Sequence, residues 1–174
     1  MGLSLGDRLP EFSLPDTSGQ TVAADGGGPA TVVVFTCNHC PYALAWHDRI
    51  LDAARDYADR GVRVLQINSN DAERYPRDSL EAMRQRLASE DWPTPYLRDE
   101  SQDVARSFGA RVTPDLFVFD AAGTLRYRGA PDHDYGDPSA NASWLRGALD
   151  AVLDDREPDP AETEPVGCSV KWKS

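Results

Sequence analysis

Two cysteines separated by two residues can close a redox-active disulfide, reduce a peroxide or clip a soft metal. The chain holds one such pair in "FTCNHCPYA", residues 35–43, where Cys37 and Cys40 enclose Asn38 and His39 and Pro41 follows. A third cysteine, Cys168, lies in "VGCSVKWKS" at the far end. Three cysteines so unevenly spaced do not make a disulfide framework, and the close pair points to redox chemistry or metal.

The elements around the pair decide how its sulfurs are presented. "ATVVVFT" (30–36) is a continuous β-branched run, as expected of a buried central strand. From Pro41 to Arg60 the apolar residues Leu44, Ile50, Leu51, Ala54, Tyr57 and Ala58 recur at helical spacing, with Pro41 acceptable in the first turn and Gly61 as the stop. Cys37 therefore falls at a strand-to-helix junction, facing unpaired N–H groups and the positive end of the helix dipole. That setting favours thiolate over thiol. Cys37 is the expected nucleophile, and Cys40, in the first turn, is placed to resolve a mixed disulfide. His39 adds a donor or positive charge beside Cys37, which predicts a more oxidising pair than thioredoxin's at about −270 mV, unless the imidazole simply faces solvent.

Along the rest of the chain, 9–22 reads as a hairpin turning at Ser18-Gly19, and "DGGGP" (25–29) as a break. "VRVLQINS" (62–69) is a second buried strand. Asp78 is placed to cap a helix running to about Ser89, with Glu81 as the reciprocal cap residue. Residues 91–99 form a loop with a short extended piece, and 101–109 a short helix. "VTPDLFVFD" (112–120) is a strand with 124–129 as its hairpin partner, 130–141 is a long loop, and Ser143 to Leu153 is the last helix. The segment 154–165 is an acidic linker, either mobile or draped on the surface. This order predicts an α/β domain over 1–153, with a mixed central sheet flanked by helices on both faces and an N-terminal β-hairpin, followed by a linker and cysteine-bearing tail over 154–174.

"VVVFTCNHCP" followed by a helix, with "VTPDLFVFD" some seventy residues on, resembles the thioredoxin-like superfamily over about residues 5 to 153. It is most similar to the redoxin branch of TlpA-type and peroxiredoxin-like proteins. The resemblance implies a thioredoxin-like fold, thiol–disulfide exchange, no cofactor, and a protein or small-molecule thiol or disulfide as partner. It also implies that Pro114, after Thr113, is cis and faces the pair, leaving the preceding backbone free to pair with a substrate chain. The ending "PVGCSVKWK" resembles a group of thioredoxin-family proteins of unassigned role, which makes Cys168 a candidate third redox cysteine and Trp172 a candidate docking anchor with a buried ring. There are departures: Thr36 replaces the family's Trp, Asn38-His39 replace Gly-Pro, and Thr31 stands where thioredoxin has a buried Asp.

Two other chemistries compete. A thiol peroxidase would show Pro-x-x-x-Thr-x-x-Cys, and neither cysteine fits that register, although Arg111 or Arg128 could polarise a peroxide. Copper-delivery proteins of the SCO type share the fold, and Cys37, Cys40 and His133 would form a soft ligand set with a spacing one residue short. His47 reads as a half-exposed helix residue. The Asp-rich "DHDYGD" lacks calcium-loop spacing, and "NAS" (141–143) is an isolated glycosylation match.

Composition narrows the partners. Net charge is −11 over 174 residues, with 21 Asp, 8 Glu and lysine only at Lys171 and Lys173. A nucleic-acid partner is not expected of so acidic a chain. No membrane association is expected either, since no long apolar run is present. "MGLSLGDRLPEF" lacks a basic start followed by an apolar stretch, so the expected compartment is the cytoplasm. Oligomeric state is not legible.

Overall fold

The computed structural model describes residues 2–174. A five-stranded sheet is built from β3 (Ala30–Phe35), β4 (Val62–Asn68), β5 (Tyr96–Arg98), β7 (Asp115–Asp120) and β8 (Leu125–Gly129), in the order β5-β4-β3-β7-β8. β3 pairs parallel with β4 and β4 with β5, whereas β7 runs antiparallel to both β3 and β8. Every residue of β3 is buried, which is why its sequence shows no alternation. Its side chains nonetheless divide between two cores. Val32 and Val34 pack with Trp46 and Ile50 of α1 (Pro41–Ala58) and Leu145 and Leu149 of α4 (Ser143–Leu153). Val33 and Phe35 pack on the other face with Phe108 of α3 (Asp103–Phe108), Phe117 and Phe119. The mixed sheet with helices and a small N-terminal hairpin is the architecture expected from sequence.

That hairpin, β1 (Phe12–Pro15) and β2 (Thr21–Ala24), is closed by Asp16, whose Oδ1 accepts from the Ser18 and Gln20 N–H groups and the Ser18 hydroxyl. Its Leu14 and Ala24 join the second core. Phe108 centres that core, with Phe12, Phe35, Phe117 and Phe119 rings at 5.1–6.0 Å.

Two local expectations are corrected, and a third is decided between its alternatives. Ser79, not Asp78, caps α2 (Leu80–Ser89): its Oγ accepts from the Ala82 N–H at 3.1 Å. Asp78 ends a 3-10 turn and points inward, because buried amide donors wait there. The strand expected over 112–120 is two, β6 (Val112–Thr113) and β7, broken at Pro114, which has no N–H to donate. The acidic linker is draped and pinned. Arg128 N donates to Ala161 O, Thr163 N donates to Arg128 O, and the Thr163 hydroxyl bonds Tyr127 and Ala130. The tail then returns as β9 (Cys168–Ser169), antiparallel to β6.

Candidate redox site

Cys37 follows β3 and Thr36, whose N–H is held by Ile67 O. Cys40 is the N-cap of α1, in extended conformation, with Pro41 opening the helix. A strand ending and a helix beginning within five residues thus place both sulfurs over the same end of the sheet. Thr113 meets both. Its hydroxyl lies 3.4 Å from Cys37 Sγ, and its carbonyl accepts from Cys40 Sγ at 3.2 Å. The Thr113–Pro114 peptide is cis. All three cysteines are thiols; Cys37 is 1% and Cys40 0% exposed, while Cys168 is half-buried and packs against them with Ala43 and Tyr42.

The pair ionises as a unit. Cys37 is pushed up because it donates its proton to Cys40, because it is buried, and because the Asp78 carboxylate is near. Cys40 is drawn down to about 4 because it accepts from Cys37. Burial opposes this, and the Ala43 N–H, Cys168 and Thr113 reinforce it. This reverses the expectation from sequence: the thiolate is favoured at Cys40, the helix N-cap, and Cys37 ionises last. Cys168 is pushed up to about 11 by burial and by its interactions with Cys40.

His39 is not a free solvent-facing imidazole. Its Nδ1 lies 2.7 Å from Asp78 Oδ2 without alignment for a hydrogen bond, and its ring stacks on Tyr75 at 5.6 Å. The His39 group that stabilises Cys37 is its backbone N–H. Asp78 is the hub beneath the motif: fully buried, it accepts from Asn38 N at 2.7 Å and from the Asn68 and Asn70 side-chain amides at 3.0 Å. Asn38 is fixed in turn, its Oδ1 accepting from the Tyr96 hydroxyl at 2.7 Å and from Arg86 at 3.0 Å, while Arg86 also donates to Cys37 O. Sequence reasoning missed Asp78, Asn68, Asn70, Arg86 and Tyr96. The available signal was the density of amides and acids in "NSNDAERYPRD" directly after a buried strand.

Other candidates are placed elsewhere. His133 is 63% exposed and faces Asp137, so the set of Cys37, Cys40 and His133 is not assembled. The three groups whose ligand atoms do converge, within 4.8 Å, are Cys37, His39 and Asp78. His47 is buried, not half-exposed, and its pKa is lowered by desolvation and Arg86, with Glu90 3.1 Å from Nε2. Arg128 is committed to Asp115 at 3.1 Å, to Gly109 O and to the Phe117 face, while Arg111 reaches Glu164 at 3.8 Å. The Trp172 ring is 37% exposed rather than buried, and Arg106 lies over it at 5.3 Å.

A strand–Cys-x-x-Cys–helix junction facing Thr113 and Pro114 on a mixed sheet defines a thioredoxin-like protein. The fold is shared with a secreted disulfide oxidoreductase from Mycobacterium tuberculosis homologous to E. coli DsbE, at 18% identity and TM-score 0.62 over 80% of this chain and 95% of that one. The AhpC/TSA family model matches residues 5–128, and the chain belongs to that family. Two solved structures match almost throughout. One is an uncharacterized conserved protein from Geobacillus kaustophilus, with 38% identity, TM-score 0.93, and 98% of this chain and 93% of that one covered. The other is a hypothetical protein from Sinorhizobium meliloti, with 34% identity, TM-score 0.93, and 100% and 97% covered. No curated protein matches the chain. Membership of that family supports an oxidoreductase of the redoxin type.

Proposed function

We propose that the chain catalyses thiol–disulfide exchange through Cys37 and Cys40. The observation that carries this reading is two buried thiols that both meet Thr113, Cys37 at its hydroxyl and Cys40 at its carbonyl, at the junction of a central strand and a helix. Cys37 attacks a substrate disulfide as its proton passes to Cys40, forming a mixed disulfide and releasing one substrate thiolate, which is protonated when Cys40 gives up that proton in the next step. Cys40 then attacks the Cys37 sulfur, closing Cys37–Cys40 and releasing the second thiol. Proximity of a second thiol makes that closure effectively unimolecular. Asp78 and Arg86 are positioning residues: Asp78 holds the Asn38 N–H, and Arg86 holds the Asn38 side chain and the Cys37 carbonyl.

Insulin reduction with a dithiol donor tests the reading. Wild type is expected to turn over, and Cys37→Ser and Cys40→Ser to fall to background. Turnover surviving in both would overturn it. Family membership supports a second reading, a thiol peroxidase using the same pair; hydrogen peroxide consumption outpacing insulin reduction would put it first.

A further inference from the structure

The backbone edge at Thr113 is already occupied. β9 lies antiparallel to β6 with Thr113 opposite Cys168 and Val112 opposite Ser169. Val170 N donates to Arg111 O at 3.0 Å, extending the pairing. The strand is held beyond that edge too. Asp71 N donates to Lys171 O at 2.8 Å, Lys171 N to Asn70 Oδ1 at 2.9 Å, and Lys173 N to Gln102 Oε1 at 3.0 Å. Val170 is 4% exposed. A second feature is independent of the pairing. Gly167 sits so close to Thr113 that a Cβ there would lie 2.1 Å from Thr113 O and 2.7 Å from its carbonyl carbon, so only glycine fits immediately before the cysteine. The result is an extended Gly-Cys strand laid along the site, its thiol against Cys40 and the pair beneath it sealed from solvent.

We propose that Gly167–Val170 is a resident substrate strand, bound where an external protein chain would pair, and that Cys168 is a third redox residue that exchanges with Cys40. This rests on the exchange chemistry proposed above. In the step, Cys168, deprotonated, attacks the Cys40 sulfur of the oxidised pair. The Cys40–Cys168 bond forms, the Cys37–Cys40 bond breaks, and Cys37 leaves as a thiolate that takes up the proton. No electrons are gained or lost. The disulfide moves from a sealed pair to a half-buried sulfur, where a small thiol reductant can attack it, returning Cys40 and Cys168 to thiols as that reductant is oxidised. An external protein substrate has to displace β9 first. The class that fits is an extended segment with glycine directly before its cysteine, paired antiparallel to Thr113.

Three full-length variants test this. Gly167→Ala forces the strand off Thr113 and keeps every cysteine; Cys168→Ser keeps the strand and removes the thiol; Cys37→Ser leaves Cys40 and Cys168 as the only partners. Alkylation of the reduced pair by iodoacetamide, read residue by residue by mass spectrometry, is expected to be at least about tenfold faster in Gly167→Ala than in wild type, since reaction follows the open population. Cys168→Ser is expected to keep the slow wild-type rate. After mild diamide oxidation, peptide mapping of Cys37→Ser is expected to show a Cys40–Cys168 bridge. Equal alkylation rates in Gly167→Ala and wild type would overturn the resident strand. Absence of the bridge in Cys37→Ser would overturn the exchange. Insulin reduction separates the two levels: wild-type turnover with equal alkylation rates sinks the strand alone, whereas no turnover by Gly167→Ala despite its fast alkylation sinks the exchange reading and leaves the strand standing.

Discussion

At the residue scale, the chemistry is set by what surrounds two sulfurs. One thiol accepting from another, against a helix N-terminus, makes the first ionisation of the pair easy. Burial and the Asp78 carboxylate make the second hard. The reduced protein is therefore expected to form its first thiolate, followed by ultraviolet absorbance, at a pH below the ordinary cysteine value. A second thiolate is expected only in strong alkali. A curve with both thiols ionising together near the ordinary cysteine value would contradict this arrangement. Asp78→Asn removes the negative charge that opposes ionisation of Cys37, so the second thiolate is expected at lower pH. The same change turns a carboxylate acceptor into an amide facing the Asn38 N–H, with an expected stability loss of about 1–3 kcal/mol by denaturant unfolding.

At the element scale, α1 is what carries Cys40, and Asp132 of the loop after β8 fixes it. Asp132 is buried, and burial alone would raise its pKa. The Trp46 indole N–H at 2.9 Å, the N–H groups of Asp134 and Ala142, and Arg49 at 3.0 Å outweigh that and lower it. Trp46 and Arg49 belong to α1, and Ala142 precedes α4, so one carboxylate ties both helices to the loop. Asp132→Ala is expected to cost about 1–3 kcal/mol, because it leaves the buried Trp46 and Ala142 N–H groups without an acceptor, while Arg49 keeps the carbonyls of Asp134, Tyr135 and Asp137. A carboxylate with a lowered folded pKa stabilises above its unfolded value, and that contribution is lost as pH falls through the folded one. The difference between wild type and Asp132→Ala is therefore expected to be full at neutral pH and to shrink in acid. A gap that widens on acidification would contradict the assignment.

At the scale of the whole molecule, the last twenty residues are part of the site rather than an appendage. The linker reaches it by docking along β8, where Gly129 has φ +149° and a Cβ would lie 2.0 Å from Thr163 Oγ1. Gly129→Ala is strained in backbone and blocked in space, and is expected to release the linker. Limited proteolysis between residues 154 and 166 is expected to speed up by about tenfold or more, as cleavage follows the open population. An unchanged rate would mean that Thr163 does not anchor the linker. The acidic surface adds little to this anchoring. The Lys173–Glu100 pair, at 3.0 Å, is partly exposed and belongs to a class worth under about 1 kcal/mol.

The sequence by itself determined the sheet, the helices and the chemistry-bearing pair. β-branched runs, helical spacing and the Pro41 and Gly61 boundaries are local signals, and local signals survive without a fold. Thr113, Pro114 and Cys168 are singled out by the family resemblance rather than by those signals. What only the tertiary structure decided is what those residues touch. Asp78 read as a helix cap because its neighbours in sequence allow that role. It is a buried hub because the amides of Asn68, at the end of β4, and Asn70, just beyond it, and the Asn38 N–H, after β3, converge on its carboxylate. His133 read as a ligand by spacing, but spacing carries no direction, and the loop turns it to solvent. Cys168 could have reached either cysteine, another chain or none. Its place opposite Thr113 follows from a backbone pairing between distant parts of the chain, which the order of the amino acids does not encode, and only that pairing shows why residue 167 has no room for a side chain.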